Sequence, residues 1–209
     1  MADVRKQEWW LIRHAPVRLN TLYGQRDVDA DFSEDQKFER LASLLPDAGR
    51  VVCSDLKRCI KTAEKTLPDR PLHREPAFRE QHFGDWQGLT YDQVEENDPS
   101  GYTQFWEDPI THSPPNGESF RDLVTRSVAA RKDVSLHHPV DTILLFAHAG
   151  PIRALLAEAL DIPLDRVLSL VIDPLSHSKL TLFTSDSQEN WQENWQESWQ
   201  VDWINRSGP

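Results

Sequence analysis

The sequence predicts an α/β domain built on a largely parallel sheet, and two observations carry that prediction. Apolar segments of strand length alternate along the chain with segments of helical period. The most apolar of the short segments, Thr142 to Ala147 (TILLFA), reads as a strand buried on both faces, which a parallel sheet covered by helices requires. A length of 209 residues suits one domain spanning 1–209, and Leu, Ile, Val and Phe make about a quarter of the chain, enough for a substantial core.

In chain order, Trp9 to Ile12 reads as the first strand. Glu34 to Leu45 carries apolar residues at Phe38, Leu41, Leu44 and Leu45, a helical spacing, with Ser33 as its expected cap. Arg50 to Cys53 is the second strand and Leu56 to Leu67 the next helix. The stretch from Asn97 to Gly117 holds four prolines, two glycines and the aromatics Tyr102, Phe105 and Trp106, so an irregular lid is expected over about 97–118. Ser119 to His137 is a longer, mostly polar helix. Pro151 sits in the first turn of a helix running to Leu160, a position that proline tolerates. Val167 to Ile172 and Lys179 to Phe183 are expected to finish the sheet as antiparallel strands.

The tail from 188 to 200 is a tetrapeptide repeat, QENW QENW QESW Q, so four of the eight tryptophans fall in the last nineteen residues. As an expanded repeat it lengthens a surface hairpin that returns through a last strand near Val201 to Asn205. The alternative is an aromatic docking surface, which makes a homodimer a possible assembly.

Lys and Arg number 23 against 34 Asp and Glu, a net charge of -11, so the averaged surface repels nucleic acid and anionic membranes and neither is an expected partner. No apolar run approaches the roughly 18 residues of a membrane span, and the start, MADVRKQEWW, lacks a signal-peptide core; a cytoplasmic location is the expectation. Cys53 and Cys59 lack metal-knuckle spacing and read as reduced packing residues.

The chemistry gathers after the strands. Arg13 and His14 follow WWLI, His148, Ala149 and Gly150 follow TILLFA, and Arg58 opens the helix after the second strand, just beyond Ser54. Ligands of open α/β sheets bind beyond the carboxyl ends of the strands, so these side chains are expected in one crevice. A lone histidine after a strand is more often structural. Two imidazoles and two guanidiniums at equivalent positions, beside a helix N-terminus, suit a phosphoryl group.

These residues resemble the histidine phosphatase superfamily, the phosphoglycerate mutase-like family. LIRHAPV is similar to its R-H-G signature, with Ala15 where glycine is usual; CSDLKRCIKTAE, FREQHFGDWQG, PPNGES and FAHAGPIR resemble four further motifs in the right order. The resemblance implies a three-layer α/β/α sandwich with a mostly parallel mixed sheet. It implies that His14 becomes transiently phosphorylated, that Arg13, Arg58 and His148 bind the phosphoryl group, and that Glu80 is the proton donor, with Asp85 and Glu118 as competitors. Asn20 and Ala149 are further candidates for substrate binding. His82 reads as structural, and His137-His138 as too divergent in direction to share a metal. With no H-E-x-x-H, P-loop or carboxylate cluster of metal spacing, no metal and no cofactor is expected.

The chain is compact for a mutase of this family, so a phosphatase acting on a small phosphorylated metabolite is favoured over a phosphoglycerate mutase. EQHFGDWQG, the aromatic lid and PPNGESF most resemble the α-ribazole phosphatases of cobalamin biosynthesis, with a sugar-phosphate phosphatase as the next reading. A non-catalytic phosphate-binding protein would use the same pocket, but every catalytic position holds a competent residue type.

Overall fold

The computed structural model describes residues 4–185 and 196–207. Strand β1 (Val4–Arg13) leads through a long loop to helix α1 (Asp35–Leu44), then β2 (Arg50–Cys53), α2 (Lys57–Thr66) and β3 (Leu72–Arg74). Single 3-10 turns at Pro76–Phe78 and Gly84–Trp86 precede α3 (Tyr91–Asn97) and α4 (Pro99–Glu107). Then come α5 (Phe120–His137), β4 (Thr142–Ala147), α6 (Ala149–Leu160), α7 (Leu164–Val167), β5 (His177–Ser185) and β6 (Gln196–Arg206).

One six-stranded sheet runs in the order β3-β2-β4-β1-β5-β6. The first four are parallel and the last two antiparallel, so the sheet is mixed and mostly parallel as expected. Side chains alternate across it with period two. Trp9, Leu11, Ile143 and Leu145 face a core shared with Leu123 of α5 and Ile152 of α6. Trp10, Ile12, Leu144 and Phe146 face the opposite core, with Phe38 and Leu41 of α1 and Ala63 of α2. Helices on both faces make the expected three layers.

Three expectations need correction. Ser33 does not cap α1: Glu34 holds that position without a side-chain cap, and the Ser33 N–H turns back to the Asp31 carboxylate at 2.9 Å. The 97–118 segment is not wholly irregular. Pro99 starts α4, where its missing N–H costs nothing, and the Asp98 carboxylate caps it by accepting from the Gly101 N–H at 2.9 Å. With α3 it encloses a small separate core of Leu22, Trp86 and Val94, backed by Phe83, Tyr102 and Phe105. Finally, 167–172 is no strand. It continues from α7 as an irregular segment whose Leu170 and Ile172 carbonyls accept from Arg153 Nε (2.9 Å) and Arg13 Nη1 (2.5 Å). Those arginines take the place of a neighbouring strand.

The end of the tail repeat is an edge strand. β6 pairs antiparallel with β5, as the hairpin reading expects, while the connection, with Trp191 and Trp195, lies outside the described residues. Trp199 and Trp203 stand four apart, yet Trp199 packs on one core and Trp203 on the other. A bulge between the pairs Leu180–Val201 and Lys179–Trp203 inserts one residue and turns the strand over. Among the described residues, no helix is long and apolar enough to cross a membrane.

Candidate active site

Three adjacent parallel strands deliver the site. β1 and β4 pair in register at Arg13 and Ala147, so the residues that follow them, His14 and His148, stand side by side with ring centroids 5.0 Å apart. β2 adds Ser54, whose N–H continues the ladder to the Phe146 carbonyl at 3.0 Å. Arg58 enters from the first turn of α2, completely buried.

His14 has one chemical identity fixed by its surroundings. Its Nδ1 lies 2.7 Å from the Ala15 carbonyl oxygen, which only accepts, so Nδ1 carries the proton and Nε2 the lone pair. Burial, then the charges of Arg58 and Arg13, hold its pKa well below the ordinary histidine value. Ala15 serves where glycine is usual because its backbone is not left-handed, and its N–H donates to Thr62 Oγ1 at 3.0 Å.

His148 is fixed in the opposite tautomer. Arg58 Nε donates to its Nδ1 at 3.2 Å, so Nε2 carries the hydrogen and gives it to Ser54 Oγ at 2.9 Å. The Cys59 sulfur lies 3.3 Å from the same nitrogen, and both cysteines are buried free thiols. Burial, Arg58, His14 and Arg13 push the His148 pKa well below normal.

Arg58 also donates to the carbonyls of Arg26 (2.9 Å) and Gly24 (2.6 Å) and lies over the Tyr23 ring. Among the described residues no carboxylate comes within ion-pair distance of it, and one N–H on each Nη stays unused. A buried cation without a counter-ion is costly, and a bound anion removes that cost. Arg13, at the end of β1, has its Nε buried without a partner.

Glu80 reaches the crevice from the loop after the first 3-10 turn. Its Oε1 accepts from the Gly150 N–H (3.1 Å) and the Gln81 N–H (3.0 Å); Oε2, 3.4 Å from Gly150 N, is the less engaged oxygen. A Cβ at Gly150 would collide with Oε1, so a larger residue there would displace the Glu80 carboxylate. The competitors are committed elsewhere: Glu118 pairs with Arg126 and accepts the His82 N–H at 2.9 Å, and Asp85 accepts from Asn116 at 2.9 Å. Ala149 is buried as the first residue of α6, beside His148. Asn20 is exposed on the loop after β1.

Residues without a sequence signal complete the site. Arg126 of α5 uses all five N–H groups, on the Glu118 carboxylate and on the carbonyls of Ala77 (2.6 Å), Arg79 (2.8 Å) and Glu80 (3.0 Å). It clamps the loop that carries Glu80, and backbone acceptors leave no trace in a sequence. A cleft of about 290 Å³ opens beside Gln81, lined by Phe83, Tyr91, Trp106, Leu168 and Arg153 among others. A larger hollow of about 600 Å³, lined by Arg70 and His73, lies at the opposite ends of β2 and β4, away from these groups.

The model of the histidine phosphatase superfamily, branch 1, matches residues 9–198. The chain belongs to that family. It is a histidine phosphatase-type phosphomonoesterase of small phosphorylated metabolites. Glucosyl-3-phosphoglycerate phosphatase of Mycolicibacterium vanbaalenii is 34% identical, covering 74% of this chain and 75% of the relative. Adenosylcobalamin/α-ribazole phosphatase of Escherichia coli is 28% identical, covering 78% and 84%. The solved mycobacterial glucosyl-3-phosphoglycerate phosphatase in complex with inorganic phosphate superposes with a TM-score of 0.78 at 27% identity, over 96% of this chain and 98% of that one. Relatives of both substrate types match, so the resemblance to α-ribazole phosphatases does not single out one substrate.

Two expected results follow for this histidine phosphatase. Arg126→Ala frees the Glu80 loop, and misplacement on the ångström scale lowers kcat by about a hundredfold. The change falls on kcat more than on KM in steady-state assays, because Arg126 holds the Glu80 loop and its loss leaves Arg13, Arg58 and His14 in place. The second concerns pH. His14 and His148 are held neutral in the fold, whereas unfolded histidines take up protons below about pH 6.5. Stability therefore falls as pH drops through that range towards the lowered native values. The urea midpoint should decrease from pH 7.5 to 5.5, and His14→Asn/His148→Asn should flatten the dependence; equal slopes would contradict this.

Proposed function

We propose that this protein hydrolyses phosphomonoesters through a phosphohistidine at His14, without a metal ion. The carrying observation is the neutral His14 imidazole, its Nε2 lone pair free, beside the fully buried Arg58, which has no carboxylate partner among the described residues. Arg13 and Arg58 hold the phosphoryl oxygens, while the N–H groups and dipole of α6 add to the field near Ala149. His14 Nε2 attacks phosphorus, the bond to the ester oxygen breaks, and the Glu80 carboxyl gives that oxygen its proton through Oε2. Water then attacks the phosphohistidine, its proton passing to the Glu80 carboxylate, and inorganic phosphate leaves with His14 neutral again. His148, with Nδ1 held by Arg58 and Nε2 by Ser54, fixes the guanidinium and offers a polarised edge to the phosphoryl group.

The leaving group occupies the cleft beside Gln81. Its aromatic walls, including the half-exposed Tyr91 and Trp106, favour an organic alcohol with a flat or apolar face. α-Ribazole 5'-phosphate, the substrate type of one set of relatives, meets that requirement through its ring. Glucosyl-3-phosphoglycerate, the type of the other, meets it through its sugar face.

Phosphate release from p-nitrophenyl phosphate, α-ribazole phosphate, 3-phosphoglycerate and nucleoside monophosphates, with and without EDTA, tests the reading. Turnover unaffected by EDTA is expected. Activity lost to chelation and restored by divalent ions would sink the metal-free mechanism.

A further inference from the structure

Arg13 is the less supported of the two arginines assigned to the phosphoryl group. Arg58 donates to His148 and to two carbonyls. Among the described residues the Arg13 guanidinium makes a single hydrogen bond, from Nη1 to the Ile172 carbonyl at 2.5 Å, and its Nε is buried without a partner. Its aim therefore depends on where that carbonyl points. Ile172 belongs to the irregular segment between α7 and β5, so no strand ladder fixes the carbonyl.

The other end of the same peptide unit is held from the last strand. The Asp173 N–H shares the plane of the Ile172 carbonyl and, across a trans peptide, points the opposite way. It donates to Asn205 Oδ1 at 2.6 Å, and Asn205 Nδ2 donates back to the Asp173 carboxylate at 2.8 Å. Asn205 itself is tied to the sheet, its N–H donating to Ser178 Oγ of β5 at 3.0 Å. Its φ of 53° is left-handed, a conformation that Asn adopts more readily than most residues and that turns its amide towards Asp173. A residue anchored on the sheet thus grips one end of a rigid plane whose other end faces Arg13. The bond to the N–H also polarises the peptide and makes its carbonyl a better acceptor.

We propose that Asn205 is a positioning residue for the phosphoryl site, aiming the Arg13 guanidinium through the peptide that joins Ile172 to Asp173. The proposal rests on the reading of Arg13 as a phosphoryl ligand and gives the strand that ends the tail repeat a part in that chemistry. The Ile172 side chain is buried in the core, so its segment stays in place without Asn205. What changes is the rotation of one peptide plane, and the effect falls on phosphate affinity more than on folding.

Calorimetric titration of the full chain with inorganic phosphate, with the urea midpoint measured alongside, tests this. Asn205→Gly accepts the left-handed backbone and removes both side-chain bonds. It should weaken phosphate binding about three- to tenfold, the range of one or two neutral hydrogen bonds. Asn205→Asp sets a second carboxylate against that of Asp173 and should weaken binding at least as much. Adding Asp173→Asn puts a donor back opposite the new carboxylate, so Asn205→Asp/Asp173→Asn should recover binding to within about twofold of native. Folded Asn205→Gly that binds phosphate like the native protein, with only its urea midpoint lowered, overturns the proposal, as does a folded double variant without recovery. Arg13→Ala separates the two failures. If it weakens binding by about tenfold or more, as loss of a charged hydrogen-bond donor should, while Asn205→Gly does not, the Asn205 assignment alone is wrong. If the native protein binds no phosphate, or Arg13→Ala binds it equally well, the reading of the site has failed and the positioning role falls with it.

Discussion

Replacing His14 by alanine should lower kcat for p-nitrophenyl phosphate by about 10⁴-fold or more, the scale expected when a nucleophile is removed from a site that acts as a unit. The expectation follows from the tautomer. The Ala15 carbonyl accepts the Nδ1 proton, burial and two arginines keep the ring neutral, and Nε2 is left with its lone pair. No neighbour substitutes for it. His148 has both nitrogens engaged, by Arg58 and Ser54, and the Cys59 thiol is raised far above its usual pKa by burial. Binding should suffer less than turnover, since Arg13 and Arg58 persist; inorganic phosphate measured as a competitive inhibitor of the native enzyme and as a ligand of His14→Ala should bind within about tenfold. A His14→Ala protein that retains a tenth of native activity would remove His14 from the mechanism.

The second large effect is on stability. Arg131 of α5 is fully buried and holds two carboxylates: Glu158 of α6 at 2.5 and 3.2 Å, and Glu197 of β6 at 2.8 Å through both Nη groups. Its guanidinium also lies over the Trp199 ring, 5.3 Å from the centroid. Arg131→Ala removes the cation from between two acids and opens a void, and should cost about 3–5 kcal/mol in urea unfolding. Glu197→Gln should cost less, about 1 kcal/mol, because that side chain is 28% exposed and water screens it. The order matters more than the values. If Arg131→Ala unfolds within 1 kcal/mol of the native protein, the last copy of the tail repeat is not docked through this cluster.

The parallel core was legible in the sequence because period and burial coincide there. Arg50–Cys53 and Thr142–Ala147 have the same bounds in the structure as in the reading, since both are short, apolar and buried on two faces. The group of Arg13, His14, Arg58 and His148 was legible for a topological reason: adjacent parallel strands end together, so residues far apart in sequence meet. What escaped depends on partners that composition does not encode. The prolines around α4 read as breakers, yet Pro99 sits at a helix start. Residues 167–172 have strand-like apolarity, but their carbonyls are claimed by side chains from Arg13 and Arg153. Arg126 looked like one charge among many on a polar helix, and its importance lies in three backbone oxygens. The Ser33 cap failed because its hydroxyl, like its N–H, is turned to the Asp31 carboxylate and away from the start of α1.

The net charge of -11 describes the surface and not the crevice, where Arg13 and Arg58 donate to carbonyls and meet no carboxylate among the described residues. Trapping the covalent intermediate tests that account most directly. Rapid quench of the native enzyme with ³²P-labelled substrate should give a phosphoprotein that is labile in acid and stable in base, with the label mapped by mass spectrometry to Nε2 of His14. The same labelling of His14→Ala should give none. Turnover by the native enzyme with no phosphoprotein formed, or label recovered on another residue, would contradict the central claim.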